Sequence, residues 1–122
     1  MKGARKDETD GPINSAEDLR ALQALAEPNR MRIAELLRSG PRTVGEIAQK
    51  LGLRQPQASK HLRVLLQSGI VAVTADANRR IYSLRREPFR SLDEWLASFT
   101  QTMEQRYDKL DVYLKRVSEN DQ

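Results

Sequence analysis

Between Thr43 and Leu66 the chain reads TVGEIAQKLGLRQPQASKHLRVLL, and six polar side chains crowd its second half: Gln55, Gln57, Ser59, Lys60, His61 and Arg63. Each glutamine carries a donor and an acceptor on one planar amide, the pairing an adenine edge requires. Ser59 can bond a phosphate or a base. Lys60 and Arg63 can neutralise phosphates or meet a guanine edge. His61 can donate or accept a hydrogen bond, and because its neighbour Leu62 belongs to an apolar row, His61 falls at the flank of the helix. Amides, hydroxyls and cations on one helix face, with apolar residues behind, suit the major groove of double-stranded DNA. An amphipathic helix with a merely solvated face uses the same residue types, so the surrounding elements decide.

Those elements are legible from periodicity and punctuation. A helix opens at Ser15, with Asp18 at capping-box spacing, and repeats Leu19, Leu22, Leu25 and Ala26. Pro28 begins a second helix, with Met31, Ile33, Ala34, Leu36 and Leu37 as its apolar set, and Gly40-Pro41 ends it. Thr43 and Glu46 are a second capping pair, ahead of a third helix that buries Val44, Ile47, Ala48 and Leu51. Gly52 supplies the left-handed residue that closes that helix. The fourth helix spans 56–67, with Ala58, Leu62, Leu65 and Leu66 inward, and stops at Gly69. Ile70–Thr74 and Arg80–Leu84 are β-rich around Ala75-Asp76-Ala77-Asn78, a hairpin in which Asn78 takes the positive φ. Helix–turn–helix followed by a two-stranded hairpin is a winged helix. The fold class expected is therefore mainly α, an α+β winged helix.

The same order of elements gives the flanking cations a use. Arg79 and Arg80 follow the hairpin turn and could enter a minor groove or hold phosphates, because a narrow minor groove has an enhanced negative potential. Arg42 and Thr43 precede the third helix, whose first amides could meet a phosphate or simply be capped. Arg54 in the turn is another phosphate candidate. From Pro88 a long helix repeats Phe89, Leu92, Leu96, Phe99, Met103, Leu110, Tyr113 and Val117 in steps of three and four, broken only at Arg106. That is more apolar surface than one helix of a small domain needs. The spacing points to a helix–helix seam with a second copy of the chain, built from Leu92, Trp95, Leu96, Phe99, Met103 and Leu110, with Leu19 and Leu22 joining from the first helix. A homodimer would also supply the two recognition helices that half-sites one DNA turn apart require.

Composition bounds the rest. The 122 residues suffice for one domain, expected at 15–118, between a disordered N-terminal tail at 1–14 and a short tail at 119–122. Lys and Arg number 21 against 17 Asp and Glu, a net charge of +4 that favours an anionic partner. With no cysteine, disulfides, thiolate metal sites and cysteine nucleophiles are excluded, and a reducing cytoplasm is the expected location. No apolar run approaches a membrane span, and no signal-peptide core opens the chain, so no membrane partner is expected. A single histidine without clustered carboxylates offers no catalytic constellation, so the chain does not read as an enzyme.

Ala26-Glu27-Pro28-Asn29-Arg30-Met31-Arg32-Ile33, Thr43-Val44-Gly45-Glu46-Ile47-Ala48, Gln55-Pro56-Gln57-Ala58-Ser59-Lys60-His61-Leu62-Arg63, Gly69-Ile70-Val71 and Arg80-Ile81-Tyr82-Ser83-Leu84 together resemble the ArsR family of bacterial winged-helix repressors. The match covers about Leu19 to Leu84 strongly and the last helix more loosely. The resemblance implies a homodimer joined through its first and last helices, binding an inverted-repeat operator and repressing transcription, often of its own operon. It implies that Gln55, Gln57, Ser59, Lys60, His61 and Arg63 read DNA, with the 71–84 hairpin as wing. Many family members sense metals through cysteine pairs or Asp/His pairs. This chain has no cysteine, and its one histidine is on the reading helix. Asp93, Glu94, Asp108 and Asp111 lack a histidine partner, so no metal and no cofactor are expected. The wing also lacks the family's usual Gly-rich tip. A small-molecule effector stays open, without an identity. The competing reading is a winged helix kept as a protein-interaction module without specific DNA binding, which calls for an apolar or acidic reading face.

Overall fold

The structure is a computed structural model that describes residues 16–120. The tail expected at 1–14, the cap expected at Ser15 and the last two residues lie outside the described residues. The elements are α1 (Ala16–Leu25), α2 (Pro28–Leu37), β1 (Arg42–Thr43), α3 (Val44–Leu51), α4 (Gln55–Gln67), β2 (Val71–Asp76), β3 (Arg79–Leu84) and α5 (Arg86–Asn120). The helix–turn–helix and wing thus stand where the periodicity puts them. Several boundaries move: α4 begins one residue earlier, at Gln55, the hairpin strands lengthen toward their turn, and α5 begins two residues before Pro88 and continues two residues into the stretch expected as tail.

Side chains from four helices and the start of the wing meet in one core. Ile33, Ile47, Leu62, Leu65, Ile70 and Val71 are fully buried, with Ala21, Ala24, Leu25, Ala34, Leu37, Ala48 and Ala58 around them. Small residues on α1 and α4 let the helices approach closely. Leu66 was expected inside but is exposed, because Leu62 and Leu65 already fill the inward face of α4. The row α1 turns inward is Ala21, Ala24 and Leu25, so Leu19 (51% exposed) and Leu22 (37%) are left outside.

Helix ends are closed by side chains from neighbouring elements. Arg30 Nε donates to the Ala24 carbonyl at 2.7 Å, and Arg32 Nη2 to the Leu51 carbonyl at 3.0 Å. Both cations sit where the C-terminal carbonyls of α1 and α3 carry partial negative charge. Gly52 takes φ +69, the left-handed geometry a side chain would strain, and lets the chain turn directly from α3 into α4.

The wing has three strands, not two. β2 and β3 pair from Val71↔Leu84 to Asp76↔Arg79, and β1 pairs on the far edge of β3 through Arg42↔Tyr82 and Thr43↔Ile81. Pairing continues through Ala75 and Asp76, so the connection shrinks to Ala77-Asn78. The positive φ falls on Ala77 (+57), not on Asn78. A turn of two residues demands it at the first central position, whatever residue stands there.

Candidate nucleic-acid interface

The reading helix is built by capping. Arg54, extended at the N-cap of α4, donates its backbone N–H to Gln57 Oε1 at 3.0 Å. Gln55 and Pro56 fill the first two helical positions, where no intrahelical donor is needed. Ala58, Leu62 and Leu65 are drawn into the core, and that rotation leaves Gln55, Gln57, Ser59, Lys60 and Arg63 exposed together with Arg54. The exposed face carries amides, a hydroxyl and cations, and the helix contains no carboxylate. Gln57 is exposed and has one carbonyl lone pair committed to the cap, and its amide also carries an NH₂ donor.

His61 departs from the expected group. Its side chain is only 19% exposed, and Nδ1 lies 3.8 Å from Glu27 Oε1 at the N-cap of α2. The imidazole is turned toward the body of the protein while its neighbours face out. Glu27 also accepts from the Arg30 N–H at 2.8 Å, and this bond first, with the nearby His61 and Arg30 adding, holds its carboxyl below the usual range against a partial desolvation. Nothing in the sequence spacing connects positions 27 and 61; only the packing of α2 on α4 does.

At the start of α3 the capping box is complete. Thr43 N–H donates to Glu46 Oε1 at 2.9 Å, and Glu46 N–H to Thr43 Oγ1 at 3.2 Å. The backbone bond from Thr43 is the largest cause of a lowered Glu46 carboxyl pKa, with the Thr43 hydroxyl and the charges of Arg42 and Arg79 adding. A carboxylate therefore already occupies the helix end that the sequence offered to a phosphate, so Thr43 acts there as a cap. Glu46 itself was not singled out as part of this surface, although its spacing from Thr43 was visible.

The wing brings Arg79 and Arg80 to the hairpin tip, both exposed. As successive residues of one strand they point to opposite faces, so a single groove wall receives one of them at a time. Arg79 Nη2 lies 3.4 Å from Asp76 Oδ2 across the turn, a contact between solvated groups that a phosphate could displace. Arg42 is half-buried in β1, with Nη2 donating to Ser39 Oγ at 3.1 Å and Nε enclosed without a hydrogen-bond partner. It is more a part of the scaffold than Arg54 or Arg80.

Trp95 and Phe99 of the long helix meet edge to face, ring centroids 4.9 Å apart. Phe89 and Leu92 lie on the core, but Leu96, Phe99, Met103 and Leu110 are exposed. Apolar cavity space within one chain lies elsewhere, about 320 Å³ lined by Leu25, Met31, Ala34, Leu84 and Phe89 with Glu35 and Arg38 at its edge. Among the described residues, no three His, Cys, Asp or Glu side chains gather as a metal ion requires, and no helix is long and apolar enough to cross a membrane.

A helix-turn-helix domain family matches residues 25–74. The HTH-type transcriptional regulator Rv2034 of Mycobacterium tuberculosis is 43% identical over 65 residues, 53% of this chain and 61% of that relative. The chain thus matches less than two thirds of that relative's length. Among solved structures, the ArsR family transcriptional regulator RHA00566 superposes with a TM-score of 0.65 at 32% identity, over 74% of this chain and 94% of its own. The homodimeric winged helix-turn-helix DNA-binding domain of Mb0332 from Mycobacterium bovis, a possible ArsR-family regulator, gives 0.57 at 27% identity, over 72% and 80%.

Proposed function

The chain belongs to the ArsR family of winged helix-turn-helix transcriptional regulators, and from that premise we propose that it is a homodimeric repressor of an inverted-repeat operator. The observation that carries the reading is the outward face of α4: Gln55, Gln57, Ser59, Lys60 and Arg63 exposed, no carboxylate among them, beside an arginine-bearing wing. In this reading the N-terminal half of α4 enters the major groove. Gln55 and the free NH₂ of Gln57 contact base edges, and Lys60, Arg63 and Arg54 hold phosphates. The wing tip delivers Arg79 or Arg80 to the flanking backbone or minor groove. His61 supports the helix from behind through Glu27 and has at most a marginal contact with DNA.

Two such heads are joined through α1 and α5, where Leu19, Leu22, Leu96, Phe99, Met103 and Leu110 offer apolar surface that one chain leaves uncovered. The homodimeric neighbour supports the pairing. Repression follows by occlusion, since a dimer spanning both half-sites covers a promoter that polymerase needs. The reaction is binding alone; no group in the site is arranged for covalent chemistry.

The test is a binding titration on operator sequences selected from random DNA. The expected result is enrichment of an imperfect inverted repeat with half-site centres about 34–36 Å apart, and an affinity that falls steeply with salt, at a slope of about −0.9 per phosphate neutralised. Selection that yields no common sequence, with an affinity indifferent to salt, would favour a protein-interaction role for this surface.

A further inference from the structure

An open cleft of about 570 Å³ lies where the end of α4, the start of α1 and the root of α5 converge. Its volume is that of a small-molecule site. None of the residues named above for DNA contact lines it. One wall is apolar, made by Leu66, Ala21 and Pro88. Leu66, 37% exposed and left out of the core, is the largest apolar side chain there.

The rim carries both signs of charge, Arg20 and Arg85 against Glu17 and Glu87. The two arms of Arg85 are bound unequally. Nη1 donates to the Gly69 carbonyl at 3.2 Å, at the C-terminal end of α4. Gly69 (φ +80) is what permits this approach, since a Cβ there would come within 3.2 Å of the same Nη1. Nη2 is only 3.7 Å from Glu87 Oε1, and both side chains are solvated, at 44% and 73%. An exposed pair of that length contributes little and exchanges readily.

We propose that this cleft binds a free aliphatic α-amino acid, and that its occupancy changes operator affinity. Arg85 and Glu87 offer a cation and an anion side by side. The matching ligand carries both charges on one carbon. Its carboxylate takes Arg85 Nη2, its ammonium takes Glu87 and Glu17, and its side chain covers Leu66, Ala21 and Pro88. Each polar contact is then a hydrogen bond between ionised partners, the stronger kind. A simple anion would face Glu17 and Glu87 unpaired, and a simple cation would face both arginines.

The effect on DNA rests on the repressor reading above; the binding does not. Arg85 is where the root of α5 holds the end of the reading helix, through Nη1 and through its backbone N–H to the Ile70 carbonyl at 2.9 Å. Ser91 Oγ donates to Asp18 Oδ2 at 3.0 Å and ties α5 to α1. A ligand held by Arg85, Glu17 and Leu66 bridges all three helices, so the placement of α4 against α1 and α5 depends on occupancy. Glu17, Arg20 and Ala21 lie on the side of α1 away from Leu19 and Leu22, so the pairing proposed for α1 leaves the cleft open.

Calorimetric titration of the full chain with L-leucine should give saturable binding at a Kd of about 1 mM or tighter. Leucine amide, 4-methylpentanoate and 6-aminohexanoate each lack one charge or separate the two, and should bind about tenfold more weakly or worse. Glu17→Gln/Glu87→Gln should weaken leucine about tenfold without weakening 4-methylpentanoate. Leu66→Ser should weaken leucine but not glycine. These side chains are exposed, so the variants keep the fold, and Arg85 is left intact because it also holds Gly69. No saturable heat in wild type overturns the proposal. So does an analogue that matches leucine, or a double variant that binds leucine as wild type does. Saturating leucine should shift operator affinity about fivefold or more, and operator DNA should shift leucine affinity by the same factor. Operator affinity indifferent to bound leucine overturns the regulatory role. Failure to select any operator would overturn the repressor reading instead, and the leucine titration reads the site independently of it.

Discussion

The His61 imidazole lies against the Glu27 carboxylate, Nδ1 to Oε1 3.8 Å, and so the reading helix α4 is tied from behind to the first turn of α2. Glu27 also caps that turn through the Arg30 N–H. One carboxylate thus touches two helices, and its loss is expected to reach the proposed DNA face without any DNA contact of its own. Glu27→Ala should lower Tm and weaken operator binding together, whereas Arg63→Ala should weaken binding with Tm unchanged. A Glu27→Ala protein of normal Tm and normal affinity would show that the contact is idle.

Acid should act through the same group and through Glu46. Both carboxyls are held below their ordinary range in the folded chain, each chiefly by a backbone N–H, so their protonation favours the unfolded state. Their contribution is complete above the unfolded carboxylate value near 4.5 and disappears as pH falls through the lower folded values. Denaturant titrations from pH 7 downward should show stability falling in that acid window. The double variant Glu27→Gln/Glu46→Gln should show a shallower fall, since Gln keeps the cap without the charge. An equal slope in both proteins would count against this assignment.

Base preference and general affinity should separate by residue. Gln55→Ala should relax selectivity at one position of each half-site, a loss of about 1–3 kcal/mol of discrimination, while Arg80→Ala should weaken all sequences alike and reduce the salt slope by about 1. Gln57→Ala is a less clean probe, because it also removes the acceptor for the Arg54 N–H. If Gln55→Ala leaves the selected sequence logo unchanged, the helix enters the groove by another face.

α4 and its outward face were legible because their information is local: a cap, a Pro in the first turn and an apolar row fix the helix's rotation, and rotation fixes which residues face out. The boxed start of α3 and the left-handed Gly52 are local in the same way. What the sequence hid depends on distant partners. β1 is two residues long and exists only because β3 is there to pair with it. His61 turns inward because Glu27 meets it across a helix crossing. Leu66 reads as core by spacing and is exposed because Leu62 and Leu65 already occupy the inward face.

The wing turn carries a removable strain. Ala77 sits at φ +57, a region that disfavours any side chain by about 1–2 kcal/mol. Ala77→Gly should therefore stabilise the fold, by about 1 kcal/mol at most after the added freedom of the unfolded chain is counted. A rise in the denaturation midpoint with an unchanged denaturant slope is the expected result. A lower midpoint would mean that the Ala77 methyl group is held by contacts worth more than the strain.

The proposed α5 seam should fail to a single charge. Phe99→Glu places a carboxylate where the proposed pairing excludes water, and the two-fold axis introduces it twice. Light scattering should show a monomer of intact helicity, with operator affinity reduced by far more than nonspecific affinity, because one head alone loses the gain from linking two. A variant that remains dimeric would remove α5 from the interface.

Thr43 is at once the last residue of β1, paired with Ile81, and the N-cap of α3. Wing and helix pair therefore share one residue, with no hinge between them. If both meet a duplex as proposed, the angle between them is set by the fold, and its ordering cost falls at folding, not at docking. Where an operator does not match that angle, the duplex is the partner that must bend. Steps that bend easily would then be preferred at base pairs no side chain touches, and the protein would select for stiffness as well as for sequence.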